Sequence, residues 1–233
     1  MIWEDEGAQA EEIRVPDDIV DLSFRIACRC LPVDHAHALF DALADRLDWL
    51  SADEVAGVHV IHGAASGNGW YRPEESLDDL IHLSRRTRLT LRLPAERVSQ
   101  AEALTGATLD VAGYALEVGE GSIRSLSRTD TLYARYVLGR EVEDEEIFLA
   151  DALEQLQAMG LRVRKALCGR VHRIRTPKGD LQARSLMVAE LKPEEAFELQ
   201  RRGLGEGRKL GCGLFIPHKG IKAVKTPADE DRF

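Results

Sequence analysis

"VDLSFRIACRC", Val20–Cys30, alternates between apolar and polar residues almost without a break. Leu22, Phe24, Ile26, Cys28 and Cys30 fall on one side, and Ser23, Arg25 and Arg29 on the other. A period of two predicts a strand with one face buried. The period then changes. In "DHAHALFDALADRLDWL" the residues Leu39, Leu43, Leu47 and Leu50 recur at helical spacing, behind Asp34 placed as an N-cap. "GVHVIHGAA" predicts a short strand. "IHLSRRTRLTLRLP" alternates again, with Ile81, Leu83, Leu89, Leu91 and Leu93 inward and His82, Ser84, Arg86, Arg88 and Arg92 outward. "AERVSQAEALTG" predicts a helix stopped by Gly106, and "TLDVAGYALEVGEGSIRSL" a strand, a turn and a strand.

The order strand, helix, strand, strand, helix, strand is that of a ferredoxin-like unit, a four-stranded sheet with both helices on one face. The order then repeats. "TLYARYVLG" predicts a strand and "DEEIFLADALEQLQAMG" a helix. "RVRKALCGRVHRIRTPKGDLQARSLMVAEL" predicts a hairpin turning near Lys178–Gly179. "KPEEAFELQRRG" is a helix with Pro193 near its start and Gly203 at its stop, and "LGCGLFIP" a last strand. The expected fold is α+β: two tandem ferredoxin-like (RRM-like) βαββαβ units with a C-terminal glycine-rich loop. The expected divisions are an acidic tail over 1–18, a first unit over 19–127, a second over 128–222 and a tail over 223–233. Helices on one face leave the other open, so Arg25, Arg29, Arg86, Arg88 and Arg92 are expected to line a basic surface.

Composition bounds the function. The chain has 233 residues, enough for one large or two small domains, and 44% hydrophobic residues. No apolar run approaches the roughly 18 residues of a membrane span. The acidic start "MIWEDEGAQAEEIRVPDD" lacks the apolar core of a secretory signal. Cys28, Cys30, Cys168 and Cys212 form no Cys-x-x-Cys pair, so reduced thiols in a cytoplasmic setting are expected. The net charge of −9 conceals an asymmetry: Gly160–Lys225 holds 16 Lys/Arg against 6 Asp/Glu, a net of +10, which leaves −19 for the rest. Arg162, Arg164, Arg170 and Arg173 lie in its densest part. A one-signed stretch of that kind suits a polyanion.

"GLGEGRKLGCGLF", Gly203–Phe215, places Gly203, Gly205, Gly207, Gly211 and Gly213 around Arg208 and Lys209. Spacing excludes a dinucleotide fingerprint, whose third glycine position holds Arg208, and a P-loop, because Leu210 follows Lys209. Both of those motifs also run from strand to helix, whereas this loop runs from helix to strand. Bare backbone N–H groups beside two cations suit the phosphates of a nucleic-acid backbone, and a mobile surface turn is the plainer alternative.

The tandem units, this loop, "LPVDHAHAL" entering the first helix and "GVHVIHGAASGNGW" together resemble the CRISPR repeat-cleaving endoribonucleases. These form the sixth Cas family, within the glycine-loop RAMP superfamily, and the resemblance spans roughly residues 20–220. It implies metal-free cleavage of repeat RNA in a precursor transcript to give guide RNAs, with no cofactor and no metal site. It also implies partnership with a hairpin or shape-defined repeat RNA and with other Cas subunits of a type I effector complex. No membrane is implied. Such cleavage uses the ribose 2′-OH as nucleophile. It needs a base near neutrality, for which His is the usual residue, and cations for the charge that develops on phosphorus. His35 at the helix start is the first candidate base and His62 the second. With aromatics at only 6% of residues, backbone contact is expected to dominate over base stacking. The competing function is a non-catalytic RNA-binding RAMP subunit.

Overall fold

The alternating stretch forms β1 (Ile19–Ala27), and the computed structural model describes residues 15–62 and 79–218 around it. In chain order there follow β2 (Cys30–Pro32), α1 (Ala36–Ala44), β3 (Gly57–Val58), β4 (Leu80–His82), β5 (Arg88–Pro94), α2 (Val98–Ala101), β6 (Thr108–Val111) and β7 (Tyr114–Ser125). The second half holds β8 (Leu132–Leu138), α3 (Glu145–Ala158), β9 (Lys165–Ile174), β10 (Leu181–Ala189), α4 (Pro193–Arg202) and β11 (Ile216–Pro217).

These strands make two larger antiparallel sheets, one in the order β3-β5-β1-β7-β6 and one in the order β11-β8-β10-β9, with β2 and β4 paired separately. In the first, Leu22, Phe24, Leu89, Leu91 and Leu93 join Leu39 and Leu43 of α1 in one core, as their periods require. Leu132, Ala134, Val137, Phe148, Leu186, Val188 and Leu199 form the second core. Among the described residues no helix is long and apolar enough to cross a membrane.

Four expectations about the elements need correction. The residues 81–94 are two strands, because Ser84–Thr87 close a tight turn (Thr87 N–H to Ser84 O, 3.0 Å). The helix expected over 95–106 is a single α-turn flanked by two 3₁₀ turns. Most of "LGCGLFIP" is loop, joined to β8 by one bridge from Cys212 to Tyr136 and by β11. Asp34 does not cap α1: His35 takes the N-cap position, and the Asp34 carboxylate instead accepts the Arg175 N–H at 3.2 Å. The expected tails lie largely outside the described residues, as does the end of "GVHVIHGAASGNGW" from Gly63 onward.

The second face of the first sheet is not open. Arg92, expected to point to solvent, is fully buried there. Its guanidinium donates to both carboxylate oxygens of Asp21 (2.8 and 2.9 Å) and to the carbonyls of Gln200 (3.0 Å) and Phe215 (2.7 Å). One side chain thus ties the first sheet to the end of α4 and to the chain entering β11. An ionised group is buried at tolerable cost because its donors are so well matched.

Candidate active site

The two halves meet along Ala36, Ile174 and Cys212, with Val60, Tyr136, Leu138, Leu181 and Leu210 packed around them. Three sequence-derived candidates lie at this seam. His35 has no exposed surface. Its Nδ1 lies 2.7 Å from the Pro32 carbonyl, and its Nε2 accepts the Ile61 N–H at 3.2 Å. That pairing fixes a neutral ring with its proton on Nδ1, and burial holds its pKa below the usual histidine value. Both nitrogens are spent on backbone, so none is left for a substrate hydroxyl. His35 staples β2 to the segment after β3.

The glycine loop differs from expectation in the same way. The Arg208 guanidinium donates to the carbonyls of Val55 (2.9 Å), Arg202 (2.5 Å) and Arg201 (3.4 Å). The Lys209 ammonium donates to the carbonyls of Asp53 and Ala56, both at 2.5 Å. Burial pushes Arg208 down to about 10 and Lys209 down to about 8. Gly203, Gly205, Gly207, Gly211 and Gly213 all have positive φ, with Gly207 and Gly211 in the left-handed region. It is also packed: a Cβ on Gly213 would strike the Leu204 carbonyl oxygen, and one on Gly211 would strike Val60 Cγ2. Neither a mobile turn nor a pair of outward phosphate ligands describes it. The loop clamps the second half to residues 53–60 of the first.

The other predicted cations divide. Arg164 pairs with Glu195 (3.2 Å) and donates to the Glu190 carbonyl, which ties it to the start of α4. The Arg162 N–H is held by the same Glu195, and Arg173 pairs with Asp180 at 3.5 Å. Arg25, Arg29, Arg86 and Arg170 are exposed, and Arg88 is half-buried with its head on the carbonyls of Arg85 and Thr87.

His62 sits differently from His35. Its side chain is exposed at a cleft of about 460 Å³ between the two sheets. The Asp21, Ser23, Arg88, Thr90 and Arg124 side of the first sheet forms one wall, and Tyr133, Arg135 and Tyr136 of β8 the other. The His62 ring lies 6.4 Å from that of Tyr136, which meets His172 edge-on at 5.1 Å. The surrounding protein, and then the Arg135 charge, push His62 down to about 3 and His172 down to about 4. Both rings are therefore neutral at pH 7. His59, three residues earlier, is turned inward, 3.6 Å from Asp21.

Arg124, Tyr133, Arg135, Tyr136 and His172 belong to this cleft although sequence reading did not select them. A local irregularity explains part of this. Along β8 and β10 the register passes from Leu186–Ala134 to Arg184–Val137, so Arg135 and Tyr136 together oppose Ser185. This β-bulge resets the alternation and puts Tyr136 on the same side as Tyr133, three residues away. Strict alternation would have separated them.

Comparison with known proteins bears on most of the chain. The sequence model of the Cas6 Crispr family matches residues 20–220. A CRISPR-associated endonuclease Cas6 of Myxococcus xanthus (strain DK1622) is 32% identical over 198 residues, covering 85% of this chain and 81% of the relative. Among solved structures, a CRISPR associated protein Cas6 superposes with a TM-score of 0.57 at 12% identity, covering 87% of this chain and all of the other. A Cas6-related protein of Pyrococcus furiosus gives 0.57 at 12% identity, covering 85% and 98%. At these identities the structural likeness is one of fold.

Proposed function

The chain belongs to the Cas6 family of CRISPR-associated repeat-cleaving endoribonucleases, and we propose that it cuts repeat RNA by 2′-OH attack with His62 as general base. The observation that carries this assignment is the exposed His62 ring at the mouth of a cleft rimmed by Arg124 and Arg135. In the proposed step His62 takes the 2′-OH proton as O2′ bonds to phosphorus, and the P–O5′ bond breaks. The products are a 2′,3′-cyclic phosphate and a 5′-OH, the latter protonated from solvent or the spent imidazolium. Arg135 and Arg124 would meet the charge that develops on the phosphoryl oxygens. A bound phosphate would offset the Arg135 charge, the second cause of the lowered His62 pKa, and so relieve that part of the depression. No protein nucleophile or metal is needed in this scheme.

The strand orders support reading each sheet as a ferredoxin-like unit. With β1, β3, β5 and β7 as the four strands of the first unit, the observed order is 2-3-1-4, and β6 extends it; β8, β9, β10 and β11 stand in the order 4-1-3-2. Units over 19–127 and 128–222 fit these sheets. The exposed Arg25, Arg29, Arg86 and Arg170 are retained as RNA contacts outside the cleft.

Incubation with the repeat RNA of its own array in EDTA tests the reading. A single cut with a cyclic phosphate end, lost when the cut-site ribose is 2′-deoxy, is expected; cleavage of the deoxy substrate would exclude the mechanism. A second reading, an RNA-binding subunit that does not cut, draws on the burial of His35 and His59. It predicts binding with no cut.

A further inference from the structure

The cleft holds more than a base and cations. Tyr133 and Tyr136, two of the chain's four tyrosines, line one wall together. They share that side only because of the bulge at Arg135–Tyr136. Each ring is braced: Tyr133 against His218 at 5.5 Å, and Tyr136 against His172 at 5.1 Å. Opposite them the first sheet presents hydroxyls, with Ser23 Oγ and Thr90 Oγ1 paired at 3.1 Å, and the guanidinium of Arg124. Braced aromatic faces, a hydroxyl-bearing wall and arginines at the rim are what an unstacked nucleotide requires: a surface for the base, partners for its edge and counter-charge for its phosphate. A volume of about 460 Å³ falls among small-ligand pockets and suits one nucleotide.

We propose that this cleft takes a single unpaired nucleotide of the RNA substrate, its base stacked on Tyr133 and Tyr136 and its phosphate at Arg124 and Arg135. The inference rests on the RNA-cleaving reading above and adds a base-selective subsite to it. Capture of one base there would set the register of the RNA relative to His62. This reverses, locally, the expectation that backbone contact dominates: aromatics are scarce in the chain but concentrated here.

The test is an abasic scan. Repeat RNA made uncleavable by one 2′-deoxy ribose at the cut site carries a single abasic residue at each position in turn, and Kd is measured. Loss of one stacked base is expected to cost about 5- to 150-fold in Kd at one position. Tyr133→Leu combined with Tyr136→Leu should bind the intact RNA correspondingly less well and be insensitive to the abasic residue there. The double Phe variant should behave as wild type. Tyr133→Leu alone, at a half-exposed position, should reduce the same peak and serves if the double variant does not fold. A flat scan in the wild type, or the same peak in the Leu variants, would overturn the subsite while leaving the cleavage reading standing. Failure of the wild type to bind unmodified repeat would instead overturn the reading on which it rests.

Discussion

Two histidines of one chain segment have opposite environments. His35 and His62 were both legible as candidates, since imidazole is the side chain that titrates near neutrality. What sequence could not show is that Pro32 O and Ile61 N–H would take both nitrogens of His35. A structural histidine and a catalytic one differ only in what surrounds them. His35→Ala should therefore act on stability first. It strands two buried backbone groups, each worth about 1–3 kcal/mol, and removes buried ring volume. A loss of roughly 2–5 kcal/mol is expected by urea unfolding. Below its melting transition, the variant should cleave within a few-fold of wild type per folded molecule. Wild-type stability with abolished cleavage would return His35 to the catalytic role.

At the scale of elements, the glycine loop shows how composition can be read correctly and interpreted wrongly. Its glycines all take positive φ, which accounts for the residue type. Its cations misled because a carbonyl oxygen and a phosphate oxygen recruit the same side chains, and nothing in "GRK" distinguishes them. The loop's partners, residues 53–56, lie far earlier in the chain, with Arg208 and Val55 separated by 153 positions. The Arg135–Tyr136 bulge was equally invisible, because it depends on how β8 meets β10. If the loop is a clamp, its glycines should differ in sensitivity according to what a methyl group would strike. Gly213→Ala drives a Cβ into the Leu204 carbonyl, whereas at Gly205 the nearest atom is 3.4 Å away and only the φ of +69° opposes it. Thermal melting should fall far more for Gly213→Ala than for Gly205→Ala. Equal, small shifts would mean the loop yields and is no clamp.

For the whole molecule, the mixture of helices with antiparallel sheets was legible because periods of two and 3.6 and the turn residues recur along the chain. The burial of the second sheet face was not. An alternating strand shows that it has two faces but not what covers the polar one, and Arg92 reads the same whether it meets solvent, Asp21 or Phe215 O. The seam that results carries a pH dependence. His35, His59 and His172 all have folded-state pKa values below the usual 6.5, chiefly because burial penalises the charged ring. The unfolded chain binds protons below that pH while the folded one does not. Stability should be full above pH 6.5 and decline as pH falls toward about 4, the His172 value. Asp34, raised by burial, opposes this as a single group against three histidines. Melting temperatures measured from pH 8 to pH 4 at constant ionic strength should show the decline beginning near 6.5. A flat profile down to pH 5 would mean these rings are not held neutral.

We propose that catalysis resides at the cleft between the two sheets, with His62 as its base. The direct measurement is the single-turnover cleavage rate of repeat RNA in EDTA by His62→Ala, at RNA concentrations that saturate binding. Removal of a positioned base should lower the rate by about 10²–10⁴-fold while Kd for uncleavable repeat changes little. A His62→Ala enzyme that cuts at the wild-type rate would contradict the account.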